Sequence, residues 1–261
     1  MLLKNKVAVI YGAGGAVGGA IARGFAREGA RVFLAGRTLA PLDAVAKDII
    51  SEGGQAETAS VDAMDAQSVE RHLADIVRTA GRIDISFNLV GLEDVQGIPF
   101  VELAPDLFAR PVVRAVTTQF LTATAAARQM AKQGSGVILA LTAQVARRAA
   151  THAGGFGVSG AAIEGFCRQL AAEVGPQGIR VVCLRSAGSP ESPGLDEVLR
   201  DLAQKAGITR EQIEASMAEG TMLKRLPKLT EVANAAALMA SDYASAITAE
   251  IANLTCGQLA D

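Results

Sequence analysis

The chain has 261 residues, 50% of them hydrophobic, with 25 basic and 27 acidic side chains and a formal net charge of −2. That composition supplies one large core, excludes a disordered chain, and offers no basic surface for a nucleic acid or an anionic membrane. Three scattered cysteines (Cys167, Cys183, Cys256), two histidines (His72, His152), no long apolar run and no secretory leader give the expectation of a metal-free, cytoplasmic, single-domain protein spanning residues 1–261.

The first predicted strand, Val7–Tyr11, runs into Gly12-Ala13-Gly14-Gly15-Ala16-Val17-Gly18-Gly19 and then a helix over 16–28. Glycines after a strand let the backbone turn tightly and approach a pyrophosphate, whose charge sits on the helix N-terminus. Gly12, Gly14, Gly15, Val17 and Gly18 are therefore candidate dinucleotide contacts. The second strand, Arg31–Ala35, leads into Gly36-Arg37-Thr38. A fold that prefers NAD places a carboxylate here for the ribose hydroxyls, whereas a basic residue favours the 2′-phosphate of NADP. With Arg37 present and no acid, the expected cofactor is NADP, with NAD as the alternative.

A helix over 39–52, a third strand over Gln55–Val61, a helix over 66–80 and a fourth strand over Ile83–Asn88 follow. Then come a long helix over 105–133, a strand at Val137–Thr142, a helix over 155–175, a strand at Ile179–Leu184, a helix over 230–240 and a last strand at Ile251–Leu254. Most strands read as continuous apolar runs, the pattern of strands buried on both faces. Strand–helix alternation of this kind predicts an α/β fold: a Rossmann-type doubly wound parallel sheet of about seven strands with helices on both faces. Residues 186–229 break the rhythm and are expected to form a substrate loop or lid within the domain.

On these residues the chain resembles the short-chain dehydrogenase/reductase family, of the single-domain type that includes 3-oxoacyl reductases. Val61-Asp62 looks like the family's adenine-contacting aspartate, and Asn88-Leu89-Val90-Gly91 like its Asn-Asn-Ala-Gly turn. Gly178-Ile179-Arg180-Val181, Glu231-Val232-Ala233, Ala240-Ser241-Asp242 and Cys256-Gly257-Gln258 match the later part of the chain, with Cys256 in place of a glycine. The resemblance implies an NAD(P)-dependent oxidoreductase acting on a small carbonyl or alcohol substrate, with Arg37, Asp62, Asn88 and Gly91 joining the glycine loop in holding the cofactor. Members of the family usually pair the two helices over 109–133 and 155–175 across a two-fold axis, and the small residues along them here (Ala123, Ala126, Ala127, Ala161, Ala162 and Gly165) permit that approach, so the resemblance implies a homodimer or homotetramer.

The catalytic positions depart from the family. Its Tyr-x-x-Ser-Lys-Ala-Ala run aligns with Phe156-Gly157-Val158-Ser159-Gly160-Ala161-Ala162. The Tyr position is therefore Phe156 and the Lys position Gly160. The catalytic Ser falls on Ala143, and the relay Asn on Ala115. None of these four side chains can move a proton. Thr142 and His152 are the candidate substitutes. After the sixth strand the family's Pro-Gly, which seats the nicotinamide, is lost within Arg185-Ser186-Ala187-Gly188. The departures cluster at the nicotinamide and substrate end, while the adenine and pyrophosphate end is kept. Two readings follow: an oxidoreductase-like NADP-binding protein with impaired or altered catalysis, or a non-catalytic NAD(P) sensor or partner subunit of an active relative.

Overall fold

The computed structural model describes residues 1–260. Seven strands, β1 (Val7–Tyr11), β2 (Arg31–Gly36), β3 (Gln55–Ser60), β4 (Ile85–Asn88), β5 (Gly136–Ala143), β6 (Ile179–Ser186) and β7 (Glu250–Leu254), form one sheet in the order β3-β2-β1-β4-β5-β6-β7. Every pairing is parallel, with Val7 opposite Arg31 on one side of β1 and Ala8 opposite Ile85 on the other.

Alternation along β1 divides the core. Val7, Val9 and Tyr11 face one layer of helices: α3 (Ala66–Ala80), α4 (Pro105–Gln133) and α5 (Gly155–Val174). Ala8 and Ile10 face the other: α1 (Ala16–Arg27), α2 (Leu39–Ser51) and α8 (Leu229–Ala240). Burial on both faces is what the apolar runs of β1, β4 and β6 require.

The helix ends follow local chemistry. The Asp65 side chain accepts the Gln67 N–H at 2.9 Å and starts α3, and Gly81, at φ +78°, ends it. Between β6 and α8 the irregular stretch resolves into two helices, α6 (Pro193–Ala206) and α7 (Arg210–Glu219), the second opened by a Thr209/Gln212 capping box. Arg210 ties them together, its Nε on Asp196 at 2.5 Å and its Nη1 on Glu214 at 2.7 Å.

Strand bounds shift by one or two residues, β4 beginning at Ile85 and not Ile83, and two differences bear on the architecture. β3 (Gln55–Ser60) is not an apolar run but alternates between exposed and partly covered residues, because β2 is its only neighbour in the sheet. β6 runs on to Ser186, in register with Ala143 of β5, so the irregular stretch begins one residue later than the sequence suggests.

Candidate functional site

Strand order reverses at β1, whose neighbours β2 and β4 lead the chain to opposite sides. The crevice outside the C-terminal ends of these strands is where a doubly wound sheet binds its ligand. The glycine loop forms its floor. Gly12 has φ +74°, and a β-carbon there would fall on the Leu89 carbonyl oxygen. A β-carbon on Gly18 would fall on the Gly12 carbonyl oxygen, so this residue lets α1 start against the turn. Gly15 is the N-cap of α1 with no side-chain cap, no acid occupies the first turn, and Val17 packs against the core beneath. The N-terminal N–H groups of α1 thus face the crevice without a carboxylate of their own, the arrangement that receives an anion. A β-carbon on Gly14 would meet Pro41 at 3.0 Å, whereas one on Gly91 would meet nothing within 4 Å. The floor is narrow at the loop and open beside it, which fits an extended pyrophosphate.

The other predicted cofactor residues, Arg37, Asp62, Asn88 and Gly91, lie at or just after the C-terminal ends of β2, β3 and β4. Asn88 donates to Thr118 Oγ1 at 3.0 Å and accepts the Val90 N–H at 3.1 Å, pinning the turn after β4 to α4. Asp62 accepts the Met64 N–H at 2.9 Å, so its carboxylate is held at the end of β3. Arg37, at the end of β2, reaches across to Glu93 Oε1 at 3.2 Å. Sequence reasoning missed its neighbour Arg114, whose Nη2 lies 3.2 Å from the same Glu93 oxygen and whose Nε donates to the Gly91 carbonyl at 2.7 Å. Arg114 directly precedes Ala115, and no linear motif marks it. Beneath the loop, the Tyr11 and His72 rings meet edge to face at 6.3 Å, and neither Tyr11 OH nor His72 Nε2 has a protein partner. Burial pushes the His72 pKa down to about 4 and the Tyr11 pKa well above its ordinary value.

The far end of the crevice is built differently. Ala115 is buried in α4, Ala143 closes β5, and Phe156 and Gly160 lie in the first turns of α5. No pair among them can exchange a proton. The α5 backbone also presses close. A β-carbon on Gly155 would lie on the Phe108 carbonyl oxygen, and one on Gly157 would lie 2.8 Å from the Val145 carbonyl oxygen. At Gly160 a β-carbon would lie 2.8 Å from the Ala146 β-carbon and 3.7 Å from that of Thr142.

Polar groups at this end are turned inward. Thr142 Oγ1 donates to Glu164 Oε1 at 3.0 Å and lies 3.6 Å from Cys183 Sγ. Arg185, opposite Thr142 in the sheet, grips both Glu164 oxygens, with Nε at 2.8 Å and Nη2 at 2.7 Å. The two side chains of this ion pair are only 5% and 7% exposed. A hydrogen bond with Cys183 and burial push the Cys167 thiol up, so it stays protonated. Thr142 is therefore committed to the core side of the sheet. His152 sits on an exposed loop with left-handed backbone, φ 62°, and its carbonyl accepts the Gly97 N–H at 2.8 Å. Gln144, next to Ala143, keeps a buried Oε1 with no protein partner.

Among the described residues no group of three or more His, Cys, Asp or Glu side chains could hold a metal ion, and no helix is long and apolar enough to cross a membrane.

Comparison with known proteins agrees with this architecture. The family profile described as enoyl-(acyl carrier protein) reductase matches residues 12–258. An uncharacterized oxidoreductase of Bacillus subtilis, YxbG, is 32% identical over 248 residues, covering 95% of this chain and 89% of its own. Sorbitol-6-phosphate 2-dehydrogenase SrlD from Erwinia amylovora superposes with a TM-score of 0.91 at 26% identity, over 97% of this chain and 100% of that one. A single-residue variant of actinorhodin polyketide ketoreductase, solved with NADPH, superposes at 0.89 with 25% identity, over 97% of each chain. With the parallel seven-stranded sheet and the glycine cradle at its switch point, these matches establish that the chain belongs to the short-chain dehydrogenase/reductase family of oxidoreductases.

Proposed function

We propose that the protein binds NADP(H) and that carbonyl reduction or alcohol oxidation on it is impaired or altered. The glycine loop (Gly12, Gly14, Gly15, Val17, Gly18) receives the pyrophosphate on the N-terminus of α1. Asp62, Asn88 and Gly91 bound the adenosine half, and Arg37 takes the 2′-phosphate. The bound nicotinamide supplies hydride chemistry. This chain's residues supply binding and orientation, but no group at positions 115, 143, 156 or 160 holds or moves a proton.

The observation that carries the reading is the state of Gly160. It lacks the ammonium that would hold the nicotinamide ribose, and Ala146 stands 2.8 Å from where the side chain would start. Losing a general acid costs about 10²–10⁴ in rate, and losing an oxyanion donor about another 10²–10³. The test is NADPH oxidation by the purified protein over a panel of ketones and 3-oxoacyl thioesters, beside calorimetric binding of NADPH and NADH. Tight binding with near-background oxidation is expected. Turnover of about 1 s⁻¹ or more, within the usual enzyme range, overturns the impaired-catalyst reading.

A second reading is a non-catalytic NAD(P) sensor or a partner subunit of an active relative, and one surface is open to assembly on either reading. Val113, Val116 and Phe120 of α4 and Val158 of α5 are large apolar side chains left exposed. A helix face of this kind fits a homodimer or homotetramer built on α4 and α5. Light scattering at micromolar concentration should give a mass of two or four chains; a monomer refutes the assembly. The stretch over 186–229, with α6 and α7, is the proposed lid over the substrate end, and the expected compartment is the cytoplasm.

A further inference from the structure

We propose that Arg37 and Arg114 together form the 2′-phosphate site and that Glu93 is its internal occupant, which the cofactor must displace. The inference deepens the NADP reading above and rests on it.

Two guanidinium groups from different elements converge on one carboxylate oxygen. Arg37 comes from the end of β2, and its Nη2 lies 3.2 Å from Glu93 Oε1. Arg114 comes from α4, and its Nη2 lies 3.2 Å from the same atom. The two cations differ in freedom. The Arg37 side chain is 61% exposed, whereas that of Arg114 is 14% exposed and is anchored through Nε to the Gly91 carbonyl. Arg114 is thus the buried, anchored wall and Arg37 the exposed one. Glu93 itself has left-handed backbone, φ 57°, which a residue with a β-carbon rarely adopts.

The position of this clasp gives it meaning. It joins the end of β2 to the turn after β4, bridging the crevice above β1 where the adenosine ribose of a dinucleotide lies. Two arginines against one carboxylate leave a net charge of +1. A phosphate monoester carries about −1.5 to −2 charge near neutral pH and offers three acceptor oxygens, a better match to two guanidinium forks. The Arg37–Glu93 pair is half exposed, and exposed ion pairs contribute little net free energy, so a dianion can displace the carboxylate. A ribose hydroxyl offers no charge to replace it. Glu93 therefore opposes the dinucleotide that carries a 2′-phosphate without helping the one that lacks it, and the arginines favour the one that carries it.

Binding fragments separate these contributions without any catalysis. Adenosine 2′,5′-bisphosphate and 5′-AMP are titrated calorimetrically into the intact protein and into the Glu93→Gln variant. Removing the competing charge should tighten the bisphosphate ~10-fold, the scale of one charge-assisted hydrogen bond, and leave 5′-AMP within about twofold. Arg114→Met should weaken the bisphosphate by ~10-fold or more with little change for 5′-AMP. Should its melting curve reveal misfolding, Arg37→Met in the Glu93→Gln background gives the same reading, since it should cancel the gain. If Glu93→Gln weakens 5′-AMP and leaves the bisphosphate unimproved, Glu93 is a ribose ligand and the proposal fails. If both fragments bind equally and no variant separates them, the proposal fails while the dinucleotide reading stands. If neither fragment binds, both fall.

Discussion

The two ends of the crevice have kept different things. At the end proposed for the adenosine half, Gly12 and Gly18 allow the close turn, Asn88 pins the β4 loop, and Arg37 and Arg114 meet at Glu93. At the end proposed for the nicotinamide, Thr142 and Arg185 face inward, both bound to Glu164. The α5 backbone occupies space a side chain would use. On the proposed reading, binding and proton transfer draw on different residues, so one can be kept without the other. Gly12 and Gly18 also serve the fold, since a β-carbon at either would meet backbone.

The strongest way to break this contrast is to rebuild the far end. Restoring Ala115→Asn, Ala143→Ser, Phe156→Tyr and Gly160→Lys without touching Ala146 should give no gain in rate and a less stable protein. The lysine β-carbon would stand 2.8 Å from that of Ala146, closer than such atoms approach. Adding Ala146→Gly opens the path. The five-residue variant should raise NADPH oxidation of a small ketone by about 10² or more over the unmodified protein, because acid and oxyanion donor act as one unit. Steady-state kinetics of the two variants checks this. Equal rates with and without Ala146→Gly would show that the obstruction does not matter.

A second substitution tests whether the inward polar groups serve the fold. Glu164→Gln removes the carboxylate that holds a buried arginine. Breaking a buried pair by removing one partner destabilises by about 3–5 kcal/mol, and the retained amide oxygen should bring the loss to about 3 kcal/mol. Denaturant unfolding should record it, with NADPH affinity within about twofold of the unmodified protein under folding conditions. A large drop in affinity with unchanged stability would place Glu164 in the ligand site instead.

The adenine end carries its own weakness, at His72. Burial lowers its pKa from 6.5 to about 4. The unfolded chain therefore binds a proton there more readily than the folded one. Stability from this group is fully present above pH 6.5, falls as the pH drops through the window from 6.5 to about 4, and is constant below it. The integrated loss is about 3 kcal/mol. Because the His72 ring meets Tyr11 at 6.3 Å, directly before the glycine loop, NADPH affinity should fall over the same window. His72→Leu should flatten both profiles. An unchanged acid slope in that variant would assign the loss to the carboxylates elsewhere.

Residues next to each other in sequence made most of this legible, and residues far apart hid the rest. Val7–Tyr11 and the glycines after it announce a strand, a tight turn and the start of a helix, because each signal is local. The strand–helix rhythm carries the sheet for the same reason. β3 departs from the buried-strand pattern because its exposure depends on its place at the sheet edge. The proposed tetrad positions can be counted out from flanking matches. What surrounds them could not: Ala146 meets Gly160 across a turn and a helix start. Arg37 and Glu93 are 56 residues apart and meet only through the order of β2, β1 and β4. Glu164 reads as one more acid on a helix until Arg185 arrives from a neighbouring strand.

The smallest expected effect gives the sharpest view of the closed end. Glycine in a helix interior costs about 1 kcal/mol relative to alanine, so Gly160→Ala should stabilise α5 if space were open. It is not open: the new methyl would stand 2.8 Å from the Ala146 β-carbon, which is fixed to backbone in the turn after β5 and cannot swing away. Gly160→Ala alone should therefore destabilise, by about 1 kcal/mol net, the overpacking cost exceeding the propensity gain. Ala146→Gly alone should also destabilise slightly, since it frees the unfolded chain and removes a packed methyl. The double variant exchanges the methyl across the contact and should recover most of both losses. A double-mutant cycle measured by thermal or denaturant unfolding should give a coupling of about 1–2 kcal/mol, against about 0.3–0.5 kcal/mol for independent sites. A coupling near zero would mean that α5 and the turn separate readily in solution, leaving the nicotinamide end open to any side chain that replaced Gly160.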